Sequence, residues 1–329
     1  MTFRLLPLGL AAILLVAQAP PKQTPETVGD EPIKVDVNLV NVLASVRTKQ
    51  GAYINTLNKE DFDLLEEGRK QSIKYFSKET ALPLTIGLLV DVSGSQERLI
   101  EIERQAAGEF FRSALRPKDE AFLISFGTDS ELLQDVTTSK SALEGGLRRL
   151  RLNSGVGGFG PGPVPTASQP RGTVLYDAVY LAANERLKSE AGRKVCVLIT
   201  DGVDQGSHES IDTAIEAAQR ADAVIYSIYY VDASAYGGRG LVFGGGGGEG
   251  YLKKMSEATG GRVFRVDRKN TLNDIFRQLN EEMRSQYILS YSPDPEGTPG
   301  QYRKLELHAT DKNLKVQARK GYYVAPRDR

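Results

Sequence analysis

Five oxygen-bearing side chains have the types and spacing of a cation site. Asp91, Ser93 and Ser95 lie in the stretch LLVDVSGSQ, where an apolar run stops abruptly at an acid. Thr173 stands in RGTVLYD and Asp201 in LITDG. Two carboxylates and three hydroxyls, with no nearby histidine or thiolate, suit a hard cation and suit Zn²⁺ poorly. We therefore expect these residues to bind Mg²⁺ (or Mn²⁺) as a cofactor.

The spacing of the first three residues has a simple geometric reason. As the chain leaves a strand and turns, alternate side chains can point to one spot, and Gly94 lets the backbone approach closely. In an open α/β sheet, ligands bind at the carboxyl ends of the strands. Singly, each group has an ordinary interpretation as a helix cap or an Asp-Gly turn. In this order and on these elements, the metal site is the favoured interpretation.

Alternating strands and helices must position these side chains. The run LTIGLLVD, from Leu84 to Asp91, is apolar throughout, as expected for a strand buried on both faces of a parallel sheet. Strand and helix patterns then alternate as far as Gln286, and a capping box of Ser141 and Glu144 predicts one helix start. We predict an α/β domain over 82–286, a doubly wound, mostly parallel, Rossmann-like sheet covered on both sides.

The segments on either side of this domain have a period of two. Residues 30–80 and 287–329 are each predicted to be strands separated by turns. Neither segment is long enough to bury a face alone. We expect the two to pack together as a small β-sandwich-like domain, with two separate small caps as the alternative.

The three motifs together resemble a von Willebrand factor A domain. Asp-x-Ser-Gly-Ser, a later Gly-Thr and a Thr-Asp-Gly form, in that order, the family's metal-ion-dependent adhesion site, and all five positions are present. The resemblance implies that Ser93, Ser95 and Thr173 contact the metal through their hydroxyls. Asp91 and Asp201 would hold it directly or through water. The flanking segments resemble those of secreted bacterial VWFA-related chains of acidobacterial type.

The resemblance implies an adhesion-type, metal-dependent protein-binding module. Hydroxyls and water leave the cation's charge incompletely neutralised, so an open position should attract an anionic oxygen. In such domains the natural sixth ligand is an Asp or Glu of a partner protein or matrix. We expect the partner-binding rim to include residues on the loops around the site, namely Gln96, Gly158, Phe159, Arg171 and Asp204.

Other functions fit the residues less well. A structural scaffold within an envelope assembly, with the metal only stabilising the fold, is the main alternative. A Mg²⁺-dependent phosphatase using Asp91 as nucleophile would need a second aspartate two residues later, and that position is Ser93, which cannot titrate near neutral pH. The pattern GVGGFG, from Gly155 to Gly160, lacks the strand and helix context of a dinucleotide site. We therefore expect no enzymatic activity.

Composition limits the partners and the compartment. Lys plus Arg and Asp plus Glu both number 42, so no overall charge attracts nucleic acid or an acidic membrane. Residues 1–25 have the basic start, apolar run and small-residue pattern of a signal peptide, and a retained membrane anchor is the alternative. We expect export to the periplasm, cell envelope or medium. Cys196, the only cysteine, lies in a predicted buried strand and excludes an intramolecular disulfide.

Overall fold

The computed structural model describes residues 39–78, 82–152, 172–231 and 246–326. The chain divides into two units, Met1–Val37 and Asn38–Arg329, and all that follows concerns the second. No helix within the described ranges is long and apolar enough to cross a membrane. The predicted signal peptide or anchor lies outside the described residues.

Strands and helices alternate over residues 84–284, and further strands precede and follow this part of the chain. The strands are β1 (Val40–Thr48), β2 (Phe62–Glu66), β3 (Arg69–Lys70), β4 (Ile73–Ser77), β5 (Leu84–Asp91), β6 (Glu120–Phe126), β7 (Ser130–Thr137), β8 (Arg193–Thr200), β9 (Ala223–Tyr229), β10 (Val263–Arg265), β11 (Gln286–Tyr291), β12 (Tyr302–Ala309), β13 (Leu314–Ala318) and β14 (Gly321–Tyr323). The helices are α1 (Ile100–Ala114), α2 (Lys140–Arg148), α3 (Leu175–Leu181), α4 (Ile211–Arg220), α5 (Gly246–Thr259) and α6 (Leu272–Arg284).

The central sheet has six strands in the order β10-β9-β8-β5-β6-β7. Neighbouring strands pair in parallel except β7, which runs antiparallel to β6 at one edge. All eight residues of β5 are buried, because this strand lies in the middle of the sheet with helices on both faces. Helices α1, α2 and α6 pack on one face, and α3, α4 and α5 pack on the other. The predicted doubly wound, mostly parallel α/β fold is confirmed.

The flanking segments form two antiparallel sheets. One has the order β13-β1-β11-β4 and the other β14-β12-β2-β3, so each combines strands from both ends of the chain. Their inner faces share one apolar core, which includes Val42, Leu64, Tyr287 and Leu305. The small β domain built from N- and C-terminal strands is therefore present, and the alternative of two separate caps is wrong. Its boundaries at 30–80 and 287–329 stay predictions.

Two local details differ from the sequence-based expectations. Helix α2 begins one residue before Ser141, and its N-cap is Ser139, whose hydroxyl accepts a hydrogen bond from Ala142 N–H. The segment around Glu67 and Gly68 forms three strands, since β4 leaves β2 and β3 and joins the other sheet. Both details depend on packing that local patterns do not specify.

Candidate metal centre

Asp91 ends β5 and is fully buried. Its Oδ1 accepts a hydrogen bond from the backbone N–H of Ser93 at 2.9 Å, which begins the turn after the strand. Its Oδ2 accepts a hydrogen bond from the hydroxyl of Thr200 at 2.6 Å. Thr200 ends the neighbouring strand β8, and the parallel register of β5 and β8 brings the two strand ends side by side. Both oxygens of Asp91 are thus held in fixed directions.

Two serines connect this aspartate to Asp201. The hydroxyl oxygens of Ser93 and Ser95 lie 3.2 Å apart. The Ser95 hydroxyl donates a hydrogen bond to Oδ2 of Asp201 at 2.7 Å, across 106 residues of sequence. Oδ1 of Asp201 accepts a hydrogen bond from Val203 N–H at 3.0 Å. Four of the five predicted ligands therefore form one cluster at the carboxyl ends of β5 and β8.

Thr173 lies on the segment that enters α3 and is buried. Its backbone oxygen accepts a hydrogen bond from Gln205 N–H at 3.0 Å, in the loop that follows Asp201. The next residue, Val174, donates its N–H to the backbone oxygen of Gly127 at 2.9 Å, just past the end of β6. These contacts hold the Thr173 backbone between the loops after β6 and β8, at the same end of the sheet as the cluster.

The electrostatics of the cluster are those of an anionic site. The pKa of Asp91 is raised to about 7, because burial and the charge of Asp201 raise it more than hydrogen bonds from Ser93 and Thr200 lower it. The described ranges contain no group of three or more His, Cys, Asp or Glu side chains that could hold a metal. A cation bound here would use hydroxyl oxygens as well as the two carboxylates. That donor set fits Mg²⁺ or Mn²⁺.

The predicted rim is only partly described. Gly158, Phe159 and Arg171 lie outside the described residues. Gln96 is fully buried and points inward, where its Nε2 donates to the backbone oxygen of Tyr230 at 3.4 Å. The prediction that Gln96 belongs to the partner-binding rim is therefore wrong, because a fully buried side chain cannot contact a partner. Asp204 is half-buried.

Asp204 also has a local structural role. Its Oδ1 accepts hydrogen bonds from the Ser207 hydroxyl at 2.6 Å and from Tyr176 N–H at 3.3 Å. It therefore connects the loop after Asp201 to the first turn of α3. This loop is the one that contacts the backbone of Thr173.

Sequence reasoning did not identify two buried groups beside the cluster. Thr200 is fully buried and donates to Asp91, and its Oγ1 also accepts a hydrogen bond from Gly202 N–H at 3.0 Å. A hydroxyl directly before Asp201 at a strand end was the available signal. Glu103 on α1 is fully buried, and neither carboxylate oxygen has a hydrogen-bond partner among the described residues. Nothing in the helical pattern of α1 distinguished it from a surface glutamate.

A known protein family matches part of the chain. Residues 164–278 match the von Willebrand factor type A domain, a range that includes Thr173 and Asp201 and begins after the DVSGS turn. A search of curated proteins found no match.

Many solved structures are similar. One is a von Willebrand factor type A protein from Catenulispora acidiphila, at 14% identity and a TM-score of 0.46 over 80% of this chain and 74% of that one. An aerotolerance-related membrane protein from Bacteroides fragilis has 15% identity and a TM-score of 0.43 over 61% and 98%. Proximal thread matrix protein 1 of the mussel byssus has 14% identity and a TM-score of 0.47 over 67% and 51%. What the comparisons show of the family is the match of residues 164–278 to the von Willebrand factor type A domain.

Proposed function

We propose that this protein is an exported, metal-dependent protein-binding module. The metal, Mg²⁺ or Mn²⁺, would be held by Asp91, Ser93, Ser95, Thr173 and Asp201. When bound, it supplies an open coordination position for an acidic side chain of a partner protein or matrix. The proposal of export depends on the sequence pattern of residues 1–25 and is separate from the proposal for the site.

One observation carries the proposal for the site. Asp91 and Asp201, far apart in sequence, are joined through Ser93 and Ser95 in one buried cluster of two carboxylates and three hydroxyls. Two carboxylates placed so close repel each other, which is part of why the pKa of Asp91 is raised. A divalent cation relieves that repulsion, whereas a purely structural cluster would be more stable with one carboxylate fewer.

The chain's own residues prepare the site for a cation. The Thr200 hydroxyl and the Ser93 N–H orient the Asp91 carboxylate, and Val203 N–H orients that of Asp201. These donors fix the carboxylates before any metal arrives, so little side-chain entropy is lost on binding. The burial of Asp91 and Asp201 strengthens their attraction for a cation, because little water screens it.

A thermal-shift titration with Mg²⁺ and with Mn²⁺ tests metal binding. At a metal concentration ten times the dissociation constant, wild type should gain about 1.4 kcal/mol of stability, seen as a rise in Tm. Asp91→Ala should show no rise. Asp212→Ala, at an exposed aspartate on α4, should behave as wild type. An unchanged Tm of wild type with both metals would contradict the proposal.

Water-proton relaxation of the Mn²⁺ complex separates a binding module from a scaffold that uses metal only for stability. An open position holds exchangeable water, so the Mn²⁺ complex should enhance relaxation, and added acetate should lower the enhancement by replacing that water. Acetamide, which is neutral, should leave it unchanged. An enhancement that acetate does not alter would favour the scaffold.

A further inference from the structure

A cavity of about 500 Å³ lies at the opposite end of the central sheet from Asp91. It is lined by residues at the amino ends of three strands, such as Leu82 before β5, Gly192 before β8 and Ala223 at the start of β9. Its other wall is the β domain, through Leu43 of β1 and Ile288 of β11. A cavity of this size between two packed domains is a common location for small-molecule sites. No part of the proposed function uses it.

A smaller cavity lies beside the first one, along the β domain. This second cavity of about 140 Å³ shares three of its lining residues, Asn41, Asp222 and Arg319. Apolar groups extend its wall, including Leu39 and Val324. Apolar groups thus line part of both cavities, which suits a ligand with a hydrocarbon part.

The charged groups in the cavity are not balanced. Arg319 donates its Nη1 to Asp222 at 2.6 Å and its Nη2 to the backbone oxygen of Asn41, while its buried Nε has no acceptor in the described ranges. Lys194 also lines the cavity, and none of the described residues accepts a hydrogen bond from its ammonium group. Burial lowers the pKa of Lys194, an effect that the charges of Asp222 and Glu190 only partly offset.

Of the two acidic residues that line the larger cavity, one is already paired with an arginine. Asp222 is paired with Arg319, and Glu190 lies near Lys194 but forms no ion pair with it within 4.0 Å. Burial raises the pKa of Glu190, and repulsion from Glu120 raises it further. Cationic N–H donors therefore exceed the acceptors available to them, so a buried anion would be stabilised here and a buried cation would not.

We propose that this cavity binds a small amphiphilic carboxylate. Its carboxylate accepts hydrogen bonds from the Lys194 ammonium group, and its hydrocarbon part lies against Leu43, Leu82 and Ile288. The apolar walls supply affinity through burial, and the Lys194 ammonium group fixes the orientation of the ligand. Because the cavity and the metal site lie at opposite ends of the sheet, this inference stands independently of the proposed function.

Calorimetric titration with sodium octanoate tests the inference on the full chain. We expect saturable binding with one site per chain. 1-Octanol and octylammonium, which have the same hydrocarbon part without an anionic head, should bind at least about tenfold more weakly, the loss of one charge-assisted hydrogen bond. Equal binding of octanol, or no saturable binding of octanoate, would overturn the proposal. Binding of octanoate should be the same with and without EDTA.

Matched variants locate the site. Lys194→Met keeps the length of the side chain and removes its charge, and should weaken octanoate binding about tenfold, whereas Lys188→Met at an exposed lysine should not. Leu82→Asp places a carboxylate at the partly exposed edge of the cavity and should also weaken binding, in contrast to Leu152→Asp. Unaltered affinity in both Lys194→Met and Leu82→Asp would overturn the assignment to this cavity.

A gain of affinity provides a test that misfolding cannot mimic. Glu190→Gln removes a carboxylate whose charge acts on Lys194, and should tighten octanoate binding several-fold. Weaker or unchanged binding in this variant, with the fold intact by circular dichroism, would contradict the proposed position of the carboxylate beside Lys194.

Discussion

Thr200 is not one of the predicted ligands, but its hydrogen bonds stabilise the candidate metal centre. Its hydroxyl donates to Asp91 and accepts from Gly202 N–H, so one atom ties the end of β5 to the loop that carries Asp201. The residue is fully buried, so water cannot replace either hydrogen bond. A residue outside the predicted set of ligands can therefore influence how well the carboxylates are oriented.

Substitution of Thr200 by valine, which has nearly the same shape, tests this role. Thr200→Val leaves Oδ2 of Asp91 and Gly202 N–H without a partner and should destabilise the protein by about 1–3 kcal/mol in urea unfolding. Metal affinity should fall as well, because the Asp91 carboxylate is no longer held. Thr213→Val, at the exposed start of α4, provides the matched comparison. A Thr200→Val protein with unchanged Mn²⁺ affinity would contradict the orienting role.

Glu103 predicts a pH dependence of stability. Burial and the nearby charge of Asp91 raise the pKa of Glu103 well above its ordinary value of 4.5. The folded state therefore retains a proton that the unfolded chain releases, so this residue lowers stability increasingly as the pH rises above about 4.5. Glutamine is neutral at every pH and removes the effect.

Urea unfolding of wild type and Glu103→Gln in EDTA, at pH 5, 6.5 and 8, measures this dependence. The two proteins should be closest in stability at pH 5, and the advantage of Glu103→Gln should grow toward pH 8. Glu109→Gln, an exposed change on the same helix, should differ from wild type by a constant amount. Parallel pH curves for wild type and Glu103→Gln would show that the buried carboxylate is not the cause.

At the scale of elements, the apolar strand β8 determines how reactive its cysteine is. Cys196 lies in the middle of this strand, where its side chain is 2% exposed and packs in the core shared with α3, α4 and α5. Burial raises the pKa of its thiol to about 12. Since the thiolate is the reactive form, the strand should protect this cysteine from alkylation.

Iodoacetamide labelling followed by mass spectrometry checks the protection. At pH 8, native wild type should remain unlabelled at Cys196, and the protein in urea should be labelled completely. Ser189→Cys, which adds an exposed cysteine just before β8, should gain one rapid label in the native state. Rapid native labelling of wild type would contradict the burial of β8.

The start of α2 shows where element-scale prediction loses accuracy. Ser139 and Ser141 are both good N-cap residues, and Glu144 three residues after Ser141 favoured the second. The structure uses Ser139, and Glu144 instead receives an ion pair from Arg112 of α1 at 2.8 Å. This ion pair joins two helices, so a short stretch of sequence cannot predict it. In the structure it occurs together with the use of Ser139 as the N-cap.

At the scale of the whole molecule, Glu282 connects the two domains. This residue of α6 is fully buried and accepts hydrogen bonds from the hydroxyls of Ser45 and Tyr53 at 3.0 and 2.7 Å. It also pairs with Arg262 at 2.7 Å, just before β10. Because Ser45 and Tyr53 belong to the N-terminal β segment, the network couples that segment to the last helix of the α/β domain.

Breaking this network should destabilise both domains together. Glu282→Gln leaves Arg262 without its counter-charge and should cost roughly 3 kcal/mol, the lower end for a buried pair because Arg262 keeps some contact with water. Far-ultraviolet and near-ultraviolet circular dichroism should report one coincident urea transition, shifted to lower urea. Glu281→Gln, its exposed neighbour, should leave the transition in place. Two separate transitions in wild type would contradict the coupling.

The sequence by itself determined the classes of element and the candidate ligands. Alternation with period two, helical periodicity and uniformly apolar runs are local properties, and they predicted the α/β domain between two β segments. The residues Asp91, Ser93, Ser95, Thr173 and Asp201 could be selected because their types and their positions after strands are readable from the chain. The bound metal and the partner protein are proposals, both from the sequence and from the structure.

Only the tertiary structure decided which groups meet. Ser95 and Asp201 are 106 residues apart and touch because β5 and β8 are neighbours in the sheet, an order that local patterns do not encode. The same packing turned Gln96 inward, placed Thr200 against Asp91 and left Glu103 buried without a partner. It also formed the cavity beside Lys194, since the β domain covers the amino ends of the strands only once the two ends of the chain have paired.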